Sequence, residues 1–204
     1  MIVVVEGISA AGKTTWCNQM PAGSLLPESF PADRKNAPRH GLEAAIYWTN
    51  WNQKRWGDAC AIEQASGLAV CDTDPLKLHY SWCLWQVGQS TAAEWQFSRQ
   101  AARDAIAKQR LGFADLYLVK VIDADNARQQ MQNDPTRTRT NFELHLSLQA
   151  PLVEWYRAIE HVFPGRIQWS LPADFKMPHA SPNESRYDLE AFDTFVDSLP
   201  KPAT

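Results

Sequence analysis

Short β-rich runs alternate along the chain with longer stretches of helical period. Ile2–Val5, Leu68–Cys71, Leu116–Ile122 and Ile167–Leu171 read as buried strands, and Ser24–Pro27 as a weaker fifth. Helical patterns fall between them at about Lys13–Met20, Leu42–Ala65, Leu76–Gly88, Ala92–Gln109 and Phe142–Val162, with a last one near Arg186–Leu199. In Ala92–Gln109, Ala93, Phe97, Ala101 and Ala105 recur every fourth position, which predicts a small-residue stripe against the sheet. Leu144, Leu148, Leu152, Trp155 and Ile159 predict a similar stripe in the next long helix, which Pro151 should kink or restart. Ser181-Pro182-Asn183-Glu184 has the form of a capping box with proline at the first helical position. Strands alternating with helices predict an α/β fold, a parallel sheet covered on both faces.

Composition narrows the class. The 204 residues carry no linker, repeat or charge block, so a single domain spanning residues 1–204 is expected. A net charge of -3 argues against a general nucleic-acid coat, because phosphate binding leaves a basic footprint. No apolar run approaches the ~20 residues that span a bilayer, so neither nucleic acid nor membrane is an expected partner. The chain opens on a strand pattern without a cationic segment or cleavage site, which makes a cytoplasmic location the expectation. Cys17, Cys60, Cys71 and Cys83 show no metal-ligand spacing and read as free thiols. Six of the nine tryptophans lie between Trp48 and Trp95, which concentrates aromatic surface in mid-chain.

The most specific segment is Gly7-Ile8-Ser9-Ala10-Ala11-Gly12-Lys13-Thr14, a match to GxxxxGK[ST], the Walker A pattern, placed directly after a strand and before a helix. Gly7 and Gly12 allow backbone conformations that a side chain would block, so successive amides of the loop, Ser9, Ala10 and Ala11 among them, can turn toward phosphate oxygens. The helix start at Lys13, Thr14 and Thr15 adds unpaired N–H donors. Lys13 supplies a mobile cation for the β- and γ-phosphates, and the Thr14 hydroxyl can ligate Mg²⁺.

Other segments decide which kind of nucleotide protein this is. An Asn-Lys-x-Asp guanine-reading segment, an LSGGQ-like signature and a strand-ending Asp-Glu pair are all missing. Present instead is Val70-Cys71-Asp72-Thr73-Asp74-Pro75 at the end of a strand, where carboxylates share the rim of the phosphate loop. Asp72 and Asp74 are therefore candidate Mg²⁺ ligands, and Asp72 a candidate proton acceptor, with Asp74 also well placed to cap a helix. Glu28, in Leu25-Leu26-Pro27-Glu28, is a candidate base or ligand on the acceptor side. Arg137 and Arg139 lie two apart before a long helix, with Arg128 upstream. Guanidinium groups on a movable segment suit a transferring phosphoryl group, so a lid is expected at about 128–145.

The order of strand-GISAAGKTT-helix, LLPE, VCDTDPLKLHY and an arginine lid resembles the P-loop small-molecule kinases, a group that includes the deoxyribonucleoside and thymidylate kinases. Within it, the Pro-Glu after the second strand and the Asp-Thr-Asp after the third are most similar to the ribosylnicotinamide kinase type. The resemblance implies a three-layer P-loop fold with a five-stranded parallel sheet in order 2-3-1-4-5 and a short helical lid. It further implies ATP as donor with Mg²⁺, lid arginines closing over the phosphates, and Glu28 or Asp72 orienting the acceptor hydroxyl. The connection Pro172–Asn183 would pack on the adenine ring. Helices after the second and third strands would wall the acceptor site, making Trp48, Trp51, Arg55 and Tyr80 candidate substrate contacts, with Asn52 and Gln53 available for polar recognition. The expected activity is phosphorylation of a hydroxyl on a small nucleoside-like metabolite. An antibiotic or natural-product kinase, a nucleoside monophosphate kinase and a non-kinase ATPase or nucleotide switch are the alternatives, and a homodimer is left open.

Overall fold

The N-terminal apolar run becomes the central strand of the sheet. A computed structural model describes residues 1–133, 141–176 and 184–202. All five residues of β1 (Ile2–Glu6) are buried. Its side chains alternate between two cores: Ile2 and Val4 enter the larger, while Val3 and Val5 meet Trp16, Cys17, Val70 and Leu118 in the smaller. A strand covered on both faces has no polar alternation to show. β3 (Ala69–Asp72) and β4 (Leu116–Val119) flank β1 in parallel, with Val4 opposite both Cys71 and Tyr117. β2 (Leu25–Leu26) adds to β3 and β5 (Ile167–Gln168) to β4, so the order is β2-β3-β1-β4-β5, the order that the resemblance implied.

Eight helices stand among the described residues: α1 (Lys13–Cys17), α2 (Gly41–Ser66), α3 (Leu78–Gln86), α4 (Ala92–Ala107), α5 (Ala124–Gln132), α6 (Phe142–Ser147), α7 (Gln149–Val162) and α8 (Leu189–Ser198). The larger core is aromatic, with Trp56, Trp82, Trp155, Tyr117, Tyr156, Phe113, Phe192 and Phe195 all fully buried. α2 ends where Gly67 takes the left-handed conformation, φ 79°, and returns its N–H to the Glu63 carbonyl. All four cysteines are free thiols, and no helix among the described residues is long and apolar enough to cross a membrane.

Several elements depart from the pattern reading. The stripe expected on α4 holds only at its end: Ala105 is buried with Trp95, Ala102 and Ile106, whereas Ala93 and Phe97 are exposed. Four residues advance a helix by about 400°, so a strict fourth-residue series drifts by roughly 40° per step and winds off the buried face. The stripe of α7 does hold, with Leu148, Leu152, Trp155 and Ile159 buried. The single stretch Phe142–Val162 is two helices that meet at Leu148, and Pro151 sits in the first turn of α7, where its missing N–H has no helical partner to lose. α5 is absent from the pattern because only Ala127 of it is buried, and Asp123 starts it by accepting from the Asn126 N–H. Thr91 and Glu94 form a capping box on α4, while the one expected at Ser181 begins outside the described residues.

Candidate active site

Parallel strands bring their carboxyl ends to one rim, and the chemistry collects there. Directly after β1, the chain turns through Gly7 at φ 150°, Ala10 at φ 66° and Gly12 at φ 85° before α1 begins. Gly7 is the tightest point: a Cβ on it would meet the Lys120 carbonyl oxygen at 2.6 Å. Lys13 leads back across the loop, its Nζ donating to the carbonyls of Gly7 at 2.5 Å and Ile8 at 3.0 Å. The loop, from Gly7 through Thr15, lines a cavity of about 500 Å³ together with Asp72, Thr73, Lys77, Glu28 and Tyr80. Every residue that the loop motif singles out, Gly7, Ser9, Ala10, Ala11, Gly12, Lys13, Thr14 and Thr15, thus faces one space.

At the floor of that cavity the Thr14 Oγ1 hydroxyl donates to Asp72 Oδ2 at 2.7 Å, joining the start of α1 to the end of β3. Burial pushes the Asp72 carboxyl up, with Glu28 and Glu6 adding to the push, while the Thr14 hydroxyl and Lys13 pull it back down. A hydroxyl and a carboxylate are hard oxygen donors, the set that Mg²⁺ accepts when substrate phosphates and water complete its shell. Among the described residues no group of three or more His, Cys, Asp or Glu side chains could hold a metal alone.

Beneath the loop lies a polar layer that holds it. Glu6, 3% exposed, accepts from the Gly7 N–H and, through its other oxygen, from the Thr73 hydroxyl at 2.7 Å and the Asp74 N–H at 3.0 Å. Burial pushes its carboxyl up, but His79, Lys77, Lys13 and the Asp74 N–H outweigh that and hold it at about 2. His79 Nε2 stands 3.6 Å from Glu6, and burial drives its imidazole down to about 4 against the pull of that carboxylate. Asp74, expected at the rim as a second metal ligand, is turned into this layer instead. It is 1% exposed, accepts from the Leu76 N–H at 2.9 Å and lies 3.4 Å from the Tyr156 hydroxyl, and burial pushes it up to about 7. Capping the turn ahead of α3 is the part of its expected role that the geometry retains.

The loop after β2 carries Glu28 to the other side of the cavity. Its side chain is 41% exposed and meets Lys77 Nζ at 3.3 Å, while Lys77 also donates to the Thr73 hydroxyl at 2.8 Å. Glu28, Phe30, Lys77 and Tyr80 line both this cavity and an adjoining one of about 420 Å³. Trp48, Trp51, Asn52 and Arg55 of α2 wall the second space, with Leu76 and Leu84 opposite. The candidate acceptor contacts Trp48, Trp51, Arg55 and Tyr80 are therefore brought together, and loop carbonyls engage the Trp51 indole and one nitrogen of Arg55, whose Nε is buried without a partner among the described residues. Trp51 Nε1 donates to the Ser29 carbonyl, Asn52 to that of Leu76, and Arg55 to that of Asp72.

Arg128 stands apart from the cavity lining. It is paired with Glu143 at 3.0 Å and with Asp125 at 3.3 Å, so the structure places it in a surface ion pair rather than on the phosphates. Arg137 and Arg139 lie outside the described residues, as does the later half of the connection expected to meet adenine. At the start of that connection, the Trp16 indole donates to the Pro172 carbonyl at 2.7 Å and packs edge-on to Phe175. Lys77 and Glu6 escaped the pattern reading. Lys77 takes a left-handed φ of 48° that no motif announces, whereas Glu6 had a usable signal in being the one charge that ends an otherwise apolar strand.

No protein-family model matches the chain, and no curated relative matches it. Among solved structures it is similar to deoxyadenosine kinase from M. mycoides, whose structure holds the products dCMP and a flexible dCDP. The likeness covers 98% of both chains at a TM-score of 0.53 and 14% sequence identity. Identity that low speaks to the fold, and the fold is shared: an α/β P-loop architecture with a five-stranded parallel sheet in order 2-3-1-4-5.

Proposed function

We propose that this chain is a kinase that moves the γ-phosphoryl group of ATP to a hydroxyl of a small nucleoside-like acceptor. The observation that carries the reading is the junction of the two cavities. A phosphate-sized loop with its Thr14–Asp72 oxygen pair opens through Glu28 and Lys77 into an aromatic-walled pocket. A hydrolase or switch needs the first space, but has no use for the second. Similarity to a deoxyadenosine kinase in fold supports the same reading.

Each group has a part that its position allows. The loop amides and Lys13 bind and orient the triphosphate, since Lys13 need only exchange the carbonyls of Gly7 and Ile8 for phosphate oxygens. Thr14 and Asp72 would hold Mg²⁺, which when bound neutralises charge on the transferring group. Glu28 stands at the junction and accepts the proton of the acceptor hydroxyl as it attacks. Lys77 keeps that carboxylate at the junction and offers a cation to the phosphoryl oxygens there. Phe30, Trp48 and Tyr80 present ring faces that suit a heterocycle, and stacking on them adds about 0.5–1.5 kcal/mol beyond burial. On sequence grounds Arg137 and Arg139 complete the set from the lid.

The test is transfer of label from γ-phosphate-labelled ATP in a panel of nucleosides, nucleotides and natural products. Label on a nucleoside supports the reading. Label released only as free phosphate, at a rate that no acceptor changes, would sink it.

A further inference from the structure

We infer that one turn of α2, from Trp51 to Arg55, is a positioning template that fixes Glu28 and Asp72 relative to each other; the inference rests on the kinase reading above. Three side chains of that turn donate to main-chain carbonyls of both loops at the rim. The Trp51 indole N–H reaches Ser29, the residue after Glu28, at 3.0 Å. Arg55, only 2% exposed, places one nitrogen, Nη2, 3.2 Å from the carbonyl of Asp72 itself and 3.5 Å from that of Pro27, the residue before Glu28. Asn52 Nδ2 reaches Leu76, the neighbour of Lys77, at 3.2 Å. Glu28 is thus bracketed on both sides, and the segment from Asp72 to Lys77 at both ends.

Strand pairing alone leaves this rim loose. β2 contributes just Leu25 and Leu26 to the sheet, paired with Val70 and Cys71, so regular pairing stops two residues short of Glu28. The turn after β3 runs through left-handed residues at Thr73, φ 75°, and Lys77, φ 48°, a conformation that side chains resist and that neighbouring contacts must hold. A buried guanidinium nitrogen shared between the two loops supplies that hold, because the two N–H groups of Arg55 Nη2 reach one carbonyl on each loop. Trp51, Asn52 and Arg55 are therefore positioning residues, since the polar atoms they pair serve the two carboxylate loops.

Steady-state kinetics of the intact chain separate the two roles. Trp51→Phe keeps the ring and removes the N–H; Asn52→Ser shortens the donor to the other loop. Each should lower kcat about tenfold, since small misplacements of reacting groups carry penalties of that size, while the acceptor KM and the calorimetric affinity for Mg·ATP stay within about twofold. Arg55→Met, which keeps the apolar stem but removes every donor, should lower kcat further, and because Arg55 is buried its thermal unfolding is followed alongside. A Trp51→Phe variant whose acceptor KM rises with kcat unchanged would make Trp51 a stacking wall and overturn the template. Unchanged kinetics in both Trp51→Phe and Asn52→Ser would overturn it too. Absence of transfer by the unaltered chain would instead defeat the kinase reading, a distinct outcome.

Discussion

Replacing Asp74 with asparagine should stabilise the protein, and only above mildly acidic pH. Burial lifts the Asp74 carboxyl from the usual 3.8 to about 7. Between those two values the folded chain retains a proton that the unfolded chain has released. Stability therefore falls as pH rises across the window, at about 1.4 kcal/mol per pH unit, for a total on the order of 4 kcal/mol above pH 7. An asparagine keeps the geometry without the charge: its oxygen can accept from the Leu76 N–H and its amide can face the Tyr156 oxygen, at the 2.9 Å and 3.4 Å now seen. His79 supplies a counter-slope. Burial lowers it from 6.5 to about 4, so the folded chain binds fewer protons than the unfolded one between those values, and stability rises with pH there. In the unaltered protein the two slopes oppose each other. In Asp74→Asn the opposing Asp74 slope is removed, so the rise with pH that His79 contributes should show more fully. Urea unfolding at pH 4.5, 5.5, 6.5 and 8, on the order of points needed to trace both windows, should show the variant and parent converging in acid. The gap should then widen to a few kcal/mol at the alkaline end. A gap independent of pH, or a variant less stable at the alkaline end, would refute the placement of an ionisable carboxyl in this layer. The same variant should keep near-parental kcat, because Asp74 does not line the phosphate cavity.

Other substitutions probe the rim itself. Thr14→Val, nearly isosteric, removes the donor that draws Asp72 down, so the Asp72 carboxyl should rise further; kcat should fall on the order of a hundredfold or more, measurable by label transfer across pH. Gly7→Ala places a Cβ against the Lys120 carbonyl, and calorimetry should show affinity for Mg·ATP reduced at least about tenfold, with a melting temperature several degrees lower. Lys77→Met frees Glu28 and removes the donor to the Thr73 hydroxyl, which keeps its own bond to Glu6, and should reduce kcat about a hundredfold with little change in ATP affinity; an equal loss in ATP affinity would move Lys77 to the donor side.

What could be read from the chain follows the distance over which each feature is assembled. The phosphate loop is local, eight contiguous residues between a strand and a helix, and it folds as its pattern says. Asp72 was legible for the same reason, as a carboxylate at the end of an apolar run. The Glu6–Thr73–Asp74–His79 layer was not, because β1, β3 and α3 meet only in the fold, where burial and neighbouring charges rather than residue type set the ionisation of Glu6, Asp74 and His79. Of the α2 tryptophans expected beside the acceptor, Trp48 and Trp51 wall the second cavity, whereas Trp56 is buried in the core against Tyr187. The Trp51 N–H has its partner in the Ser29 carbonyl, which no spacing along the helix reveals. α5 left no trace because a helix with a single buried residue has no apolar period to find.

The central claim is that donor phosphates and acceptor occupy adjoining spaces that meet at Glu28 and Lys77. It is tested most directly by titrating the chain, in Mg²⁺, with a bisubstrate ligand in which adenosine and a nucleoside are joined through a chain of phosphates. If both spaces fill at once, the ligand should bind one-to-one and on the order of a hundredfold more tightly than ATP. An affinity no greater than that of ATP, whatever nucleoside is attached, would contradict it.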